Sequence, residues 1–492
     1  MSRTDPVFGA GNASLYRTTQ RMGGRVVEAL LREDYGGLRR YVSRDGLWLR
    51  LAGLTIGLER ADPGFLSDFT VPAGPTIEEA LRVVRFVADA RDDVAGFERE
   101  CREALAASEL HESVRPVARR SATYYDTLAA GTDHPVHPTS RCRLGLTQAE
   151  LLAYAPEFQP VFAMRWAKVP RDRVTAVGVR PDWWPAPDGD HDLFPVHPLT
   201  AKQIETTPEP YLLVSPTLSM RTVAVDARTH LKVPLTVSTL GRRNRRTIAP
   251  GTLRDGALVQ RVLSGLAGDE VLLADEQTYG HAGDPLLGYL VRRLPPGTAV
   301  PVAALLAPTP SGPYVISTIT DDLESFFSEY LRILFAWNVA LFGHGIALET
   351  HQQNLSVLAA PSGLKLLIKD NDAALLMGSY DVADQRMLTD DPSALVRVFV
   401  TITLHLCAGA LAFGLAERGL LPLRTGLGLV AGRLDEALGR DHPVLRAGTL
   451  DAETLPGKAM VTAGTLVDKA RTGALDVNKH YGPPGPNYLR GR

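Results

Sequence analysis

Apolar positions recur along this chain with two periods, and the alternation between them outlines the elements. From Leu15 to Glu33 they return every three or four residues, with Val26, Val27, Leu30 and Leu31 on one side, which predicts an amphipathic helix. Leu47–Leu58 alternates and predicts a strand or hairpin. Thr76-Ile77-Glu78-Glu79 is a capping box opening a helix to Ala90, and Val94–Ala107 predicts another. Thr147-Gln148-Ala149-Glu150 opens a further helix that Pro156 ends. Residues 260–322 read as strands joined by turns such as Pro295-Pro296-Gly297, and Leu364–Ile368 is a further short apolar run. The longest periodic run, through Leu323, Phe326, Leu331, Leu334, Phe335, Val339 and Leu341, predicts a buried helix broken by Gly343 and Gly345. Ser393–Leu415 and Leu429–Leu438 predict two more helices, whereas the tail His480–Pro486 cannot continue one.

Composition narrows the class. At 492 residues, 45% hydrophobic and 22% charged, the chain can bury a large core in two or three lobes. A net charge of −2 gives no overall field to draw in nucleic acid or a membrane surface. Cys101, Cys142 and Cys407 are odd in number and far apart, which suggests neither a disulfide framework nor a zinc site and fits a reducing cytoplasm. Met1–Pro6 lacks the apolar core of a signal peptide. Val398–Ala416 is apolar enough for a membrane span, but His405 and its other polar positions favour a core helix. No phosphate-binding Gly-x-x-x-x-Gly-Lys loop, dinucleotide fingerprint or Gly-x-Ser-x-Gly elbow is present.

Candidate chemistry gathers in four stretches. In His344–Asn354, Glu349, His351 and Gln353 alternate, so an extended backbone would turn all three to one side. Lys369-Asp370-Asn371-Asp372 follows a predicted strand, and the acids, amides and imidazole together suit a metal-and-phosphate site. In Gly131–Gly145, His134-Pro135 and His137-Pro138 fix the backbone twice ahead of Arg141 and Arg143, as an anion clamp requires. Alternation through Ser215–Val223 places Thr217, Ser219 and Arg221 on one side of a strand. Lys232 then alternates outward from Leu231, Val233 and Leu235, and Gly241–Thr247 carries four arginines without stacking aromatics. Phe194–Pro198 repeats the His-Pro device, and His197 there reads as structural.

The Gly345–Asn354 run resembles the Gly-Ile-x-x-Glu-x-His-x-Gln-Asn signature of the siderophore synthetases that work without a non-ribosomal peptide synthetase (the aerobactin-synthetase-like family). Residues 131–145, 215–223 and 230–248 resemble further family stretches in the same order. Departures are the extra Thr132-Asp133, Arg141 in place of lysine, and Leu199-Thr200 after the His197-Pro198 pair. The resemblance implies an α+β, multi-lobed cupped hand of fingers, palm and thumb, with a mixed or antiparallel sheet core and a helical C-terminal lobe. The expected division is a mainly helical lobe over 1–130, a β-rich phosphate-binding lobe over 131–320 and a helical lobe over 321–492.

It further implies an ATP- and Mg²⁺-dependent ligase that adenylates citrate or a similar acid and condenses it with an amine, hydroxylamine or alcohol. His137, Arg141, Ser219, Arg221, Thr222, Lys232 and Gln353 would bind the nucleotide. Glu349, Asp370 and Asp372 would hold the metal. Arg243 or Arg246, with Thr247, His351 and Gln353, would hold the acid, and Arg221, Lys232, Arg246 and His351 would carry catalysis. Partners would be these small molecules, not nucleic acid or membrane, and homodimers are common in the family. Two alternatives stand beside this reading. Asn354 followed by Lys369-Asp370-x-Asp372 faintly echoes kinase-like phosphotransferases, and a non-catalytic binder of citrate-like anions needs no turnover.

Overall fold

The structure is a computed structural model, and it describes residues 10–209, 211–360, 363–473 and 479–490. The Met1–Pro6 stretch lies outside the described residues. Helix α1 (Ala10–Arg32) buries Val26, Val27, Leu30 and Leu31 against α2 (Ile77–Val87) and α3 (Val94–Val114). The capping box at Thr76 forms as expected, its hydroxyl and Glu79 each satisfying the other's backbone N–H. The predicted hairpin pairs Trp48–Leu51 with Leu54–Gly57. A short helix, α4 (Tyr124–Ala130), leads into the His-Pro stretch.

The central element is an eight-stranded antiparallel sheet. Its strands are β1 (Phe162–Pro170), β2 (Thr175–Val177), β3 (His191–Val196), β4 (Tyr211–Pro216), β5 (Thr222–Ala224), β6 (Thr229–Lys232), β7 (Asp275–His281) and β8 (Gly288–Arg293). Their order in the sheet is β2-β7-β8-β6-β5-β4-β1-β3. One face is apolar: Leu231 joins Val223, Val291, Phe194 and Trp166 in a closed core. Because side chains alternate, His230 and Lys232 take the opposite face, where register sets His230 beside Arg292. That second face is buried as well. Lys232 is 1% exposed, so its alternation leads into another layer of protein and not into solvent.

The covering layer is built around α5 (Leu323–Gly343), apolar on nearly every side, with Phe327, Leu331, Leu334 and Phe335 buried. A four-stranded sheet adjoins it, in the order Val271–Leu273, Gly363–Ile368, Leu355–Ala360, Ala299–Pro301. Helical residues Pro392–Glu417 follow, with π-helical turns over Phe399–Gly409. This is the helical stretch apolar enough to cross a membrane, but 94% of its most apolar window is buried inside the protein. The α+β class with a sheet core and a helical C-terminal part is as expected.

Three local expectations change. Residues 217–221 form a turn between β4 and β5, closed by the Thr217 N–H on the Thr222 carbonyl, with Met220 at φ 65°. Residues 349–354 also turn: the amides of Asn354 and Leu355 both reach the His351 carbonyl, at 2.8 and 3.1 Å. Polar side chains that alternate in sequence cannot share a face when the backbone turns back on itself. Finally, Pro250–Ser264 is a helix with proline at its first turn, a start signal, and its last turn overlaps the 260–322 stretch read as strands.

Candidate active site

The buried polar face of the large sheet meets the end of the Gly363–Ile368 strand. There the Lys232 ammonium pairs with Asp370 and lies 2.8 Å from Asp372 Oδ2. Asp370 takes a left-handed backbone, φ 68°, a conformation that costs a non-glycine residue about 1–3 kcal/mol. Glu276 on β7 holds that conformation. Its carboxylate accepts the amides of Asp370 and Asn371, at 2.9 and 3.4 Å, and Arg292 Nε at 2.5 Å. Burial is the largest influence on Asp370 and opposes its charge, but Lys232, Arg292 and Arg221 overcome it and hold the carboxyl well below the usual range.

Arg221 leaves the 217–221 turn and donates to the carbonyls of Arg246 and Thr247, at 3.3 and 3.0 Å. That contact ties the turn to the hairpin of Leu235–Ser238 and Arg245–Arg246. Arg246 is driven down to about 9 by burial and by the neighbouring Arg221 charge. Its Nε is buried without a partner among the described residues. Ser219 faces the same turn, its Oγ accepting the Thr222 N–H at 3.1 Å.

His351 lies within electrostatic reach of Arg246, Lys369, Asp370 and Lys458, and burial lowers it to about 4, so it is neutral at pH 7. Glu349 pairs with Lys458 at 3.3 Å. Gln353, half-buried, has no side-chain hydrogen bond among the described residues. The segments holding Arg221, Lys232 and Arg246 therefore meet those holding Glu349, His351, Asp370 and Asp372 in one buried cluster.

Three expected residues stand elsewhere. His137 is 1% exposed, with Nδ1 3.1 Å from the Thr139 hydroxyl, and burial beside Arg25 and Arg32 lowers it to about 3. The neighbouring His134, not His137, comes within electrostatic reach of His351. The His134 Nδ1 accepts the amides of Val136 and His137, which puts the ring proton on Nε2. Arg141 closes a clamp, donating to Asp133 Oδ1 at 2.8 Å and to the Gly131 carbonyl. Arg25 adds a second contact to Asp133 at 2.7 Å. Arg243 donates to the carbonyls of Ala463 and Thr465, at 3.5 and 2.5 Å, and so anchors a C-terminal segment, which leaves Arg246 as the cluster's arginine. Lys458 sits in a β-bridge with Tyr481.

The cluster also contains three groups that no motif marked, Glu276, Arg292 and Asp126, and one that stood in a motif without a role, Lys369. Arg292 and Glu276 enter only through the register of β7 and β8, which single-strand patterns do not encode. Lys369 is 7% exposed, and burial lowers its affinity for a proton.

No three His, Cys, Asp or Glu side chains among the described residues form a ready metal cage. The lysines reach the carboxylates first: Lys458 takes Glu349, and Lys232 takes both aspartates. The donor chemistry nevertheless fits magnesium arriving with phosphates, since that ion takes one or two carboxylates and completes its shell with phosphate oxygens and water. The Asn371 amide beside Asp370, buried with neither polar atom partnered, is a further hard donor for such a guest.

Comparison with known proteins bears on this arrangement. Residues 123–307 match the IucA/IucC family. That match spans α4, the His-Pro stretch and the whole large sheet. Residues 324–473, with the Glu349 and Asp370 stretches, match a second family, described as ferric iron reductase FhuF-like transporter. Staphyloferrin A synthase of Staphylococcus aureus (strain NCTC 8325 / PS 47) is 25% identical over 307 residues, 50% of this chain and 52% of that protein. The chain spans about half the length of the curated relatives it matches. The fold is that of petrobactin biosynthesis protein AsbB from Bacillus anthracis str. Sterne, with TM-score 0.72, 17% identity and 99% of both chains covered. ATP-bound aerobactin synthetase IucA from a hypervirulent Klebsiella pneumoniae superposes with TM-score 0.71 at 15% identity, over 96% of this chain and 99% of that one.

Proposed function

We propose that this chain is an ATP-dependent carboxylate ligase of siderophore or related natural-product assembly. It adenylates citrate or a similar polycarboxylic acid and joins it to an amine, hydroxylamine or alcohol. One observation carries the reading: Arg221, Lys232, Arg246 and Arg292 converge with His351 on Asp370 and Asp372 in a single buried cluster. Two polyanions that must touch need such compensating charge, and a site that excludes water strengthens it. The family match and the ATP-bound IucA fold relative support the nucleotide.

In the reaction a carboxylate oxygen attacks the α-phosphorus of ATP, the bond to the β-phosphate oxygen breaks, and pyrophosphate leaves. The nucleophile then attacks the acyl carbon, AMP departs, and the nucleophile's proton goes to solvent. Arg221, still free at Nε and Nη2 among the described residues, and Lys232 bear on the phosphate oxygens, with Ser219 and Thr222 shaping the turn beneath them. Arg246 takes a carboxylate of the acid. Neutral His351 donates a hydrogen bond to that acid, and Gln353 orients it. Glu349 and Asp370, with Asp372, would hold a magnesium ion, whose chemistry is to neutralise charge on the departing pyrophosphate. No protein nucleophile is needed; catalysis is positioning and charge stabilisation.

The test is product analysis over a panel of citrate, 2-oxoglutarate and succinyl acids, each with diamines, hydroxylamines, amino acids and amino alcohols. AMP and pyrophosphate formed only with an acid present are expected. ADP in their place would make the chain a phosphotransferase, and anion binding without turnover would make it a carrier.

A further inference from the structure

The cations of the cluster differ in what they are bonded to. Lys232 is spent on two aspartates, Lys458 on Glu349, and Arg292 on Glu276 with Asp370 3.4 Å away. Lys369 is spent on nothing. More than nine-tenths of it is buried, yet its ammonium makes no hydrogen bond or ion pair among the described residues. Its backbone is fixed, the amide donating to the Asn354 carbonyl at 2.9 Å as the ladder's last rung. Alternation fixes its direction too. Leu367, two residues earlier, packs on Ala274 and Leu294, and the same side carries Lys369 toward Arg292 and Glu276. The acid that acts on it most strongly is Asp126, whose Oδ1 is already engaged by the Leu218 amide at 2.9 Å. The ammonium tip is not fully enclosed, so this largely buried side chain, which no protein group among the described residues completes, faces space that a ligand can enter.

We infer that Lys369 binds an anionic oxygen of a substrate, as an additional ligand-holding residue beside Arg292. The inference rests on the ligase reading for its substrates. The chemistry of a lone ammonium suits two sources, a phosphate of the nucleotide or a carboxylate of the acid, and Asp126 links it to the 217–221 turn that bears Arg221.

Labelling of the wild-type chain tests this without any assumption about turnover. Reductive methylation of Lys369, followed by mass spectrometry, is run alone, with inorganic tripolyphosphate, and with citrate. Protection by tripolyphosphate assigns the lysine to the phosphates, and protection by citrate assigns it to the acid. Equal labelling in all three overturns the inference. Absence of labelling in the free chain overturns it too, because the ammonium would then face no accessible space.

Calorimetric titration of MgATP and of citrate into Lys369→Met and Lys369→Arg gives the second readout. Loss of one charge-assisted contact weakens one ligand by about 10- to 100-fold in the methionine variant, and arginine restores most of it. The methionine variant melts at or above the wild-type temperature, since no ion pair is lost. A lower melting temperature with both affinities falling together would make Lys369 structural. If wild-type chain binds neither MgATP nor citrate, the ligase reading fails while the labelling result stands.

Discussion

Two arginine-rich constellations in this molecule look alike in sequence and do opposite things. The clamp at the His-Pro stretch joins Arg25, Arg141 and Asp133 and spends its guanidinium contacts on protein: a carboxylate and backbone carbonyls. The cluster between the sheet and its covering layer leaves Arg246 Nε and the Lys369 ammonium without partners among the described residues. Asp133 and Asp370 are alike electrostatically. Burial opposes charge on each, and neighbouring cations prevail, Arg25 and Arg141 in one case and Lys232 and Arg292 in the other. Charge density therefore does not distinguish scaffold from site. What differs is the use of the guanidinium groups: Arg25 and Arg141 are spent on protein, whereas Arg246 Nε is not.

The contrast can be broken by substitution, and the largest effect is expected at Lys232. Lys232→Met leaves Asp370 and Asp372 facing each other, which should cost about 3–5 kcal/mol of stability, read by denaturant melts, together with loss of turnover. Arg221→Ala should keep the fold and lower turnover by about 10²–10³, or about 2.7–4 kcal/mol of barrier. Near-normal pyrophosphate release in that variant would remove Arg221 from the mechanism.

Arg141→Met is the counter-case. Asp133 keeps Arg25, so stability should fall by about 1–3 kcal/mol while MgATP affinity, measured by calorimetry, stays within twofold of wild type. A selective loss of nucleotide affinity there would erase the distinction between clamp and site.

The smallest effect sharpens the picture through pH. Asp133 and Asp370 stay ionised well into acid, so early acid sensitivity comes instead from histidines buried in neutral form. His197, fully buried against Phe162 and Tyr154, is lowered by burial from 6.5 to about 3. The unfolded chain takes up that proton below pH 6.5 and the folded one does not, so stability declines as pH falls from 6.5 toward 3. At pH 5 this one ring contributes about 2 kcal/mol of loss. Melting temperatures from pH 7 to 5 should fall less steeply in His197→Asn, whose amide oxygen can still accept the Leu199 N–H that Nδ1 accepts at 3.1 Å.

Local rules made much of this chain readable in advance. The Thr76 and Thr147 caps, the 48–57 hairpin and α5 all follow from short-range periodicity and end signals. Motif residues Arg221, Lys232, Glu349, His351 and Asp370 do converge. Misreadings occurred where the backbone turns: alternation implies a shared face only in a strand, and 217–221 and 349–354 are not strands. Lys232 alternates outward from an apolar face, and a single strand does not show what covers its second face. Glu276 and Arg292 could not be singled out, since their meeting with Asp370 depends on how strands about 80 to 95 positions away come to lie beside one another.

The anchoring of residues 458–466 has a consequence for biosynthesis. Lys458 meets Glu349, the amides of Val461 and Thr462 reach the Glu33 carboxylate, and Thr465 accepts Arg243. A polypeptide emerging from the ribosome displays its basic hairpin and its acidic turn long before those late residues have been translated. Until then Glu33 and Glu349 lack the companions that settle them, so an unfinished copy cannot close the buried cluster that those late contacts complete.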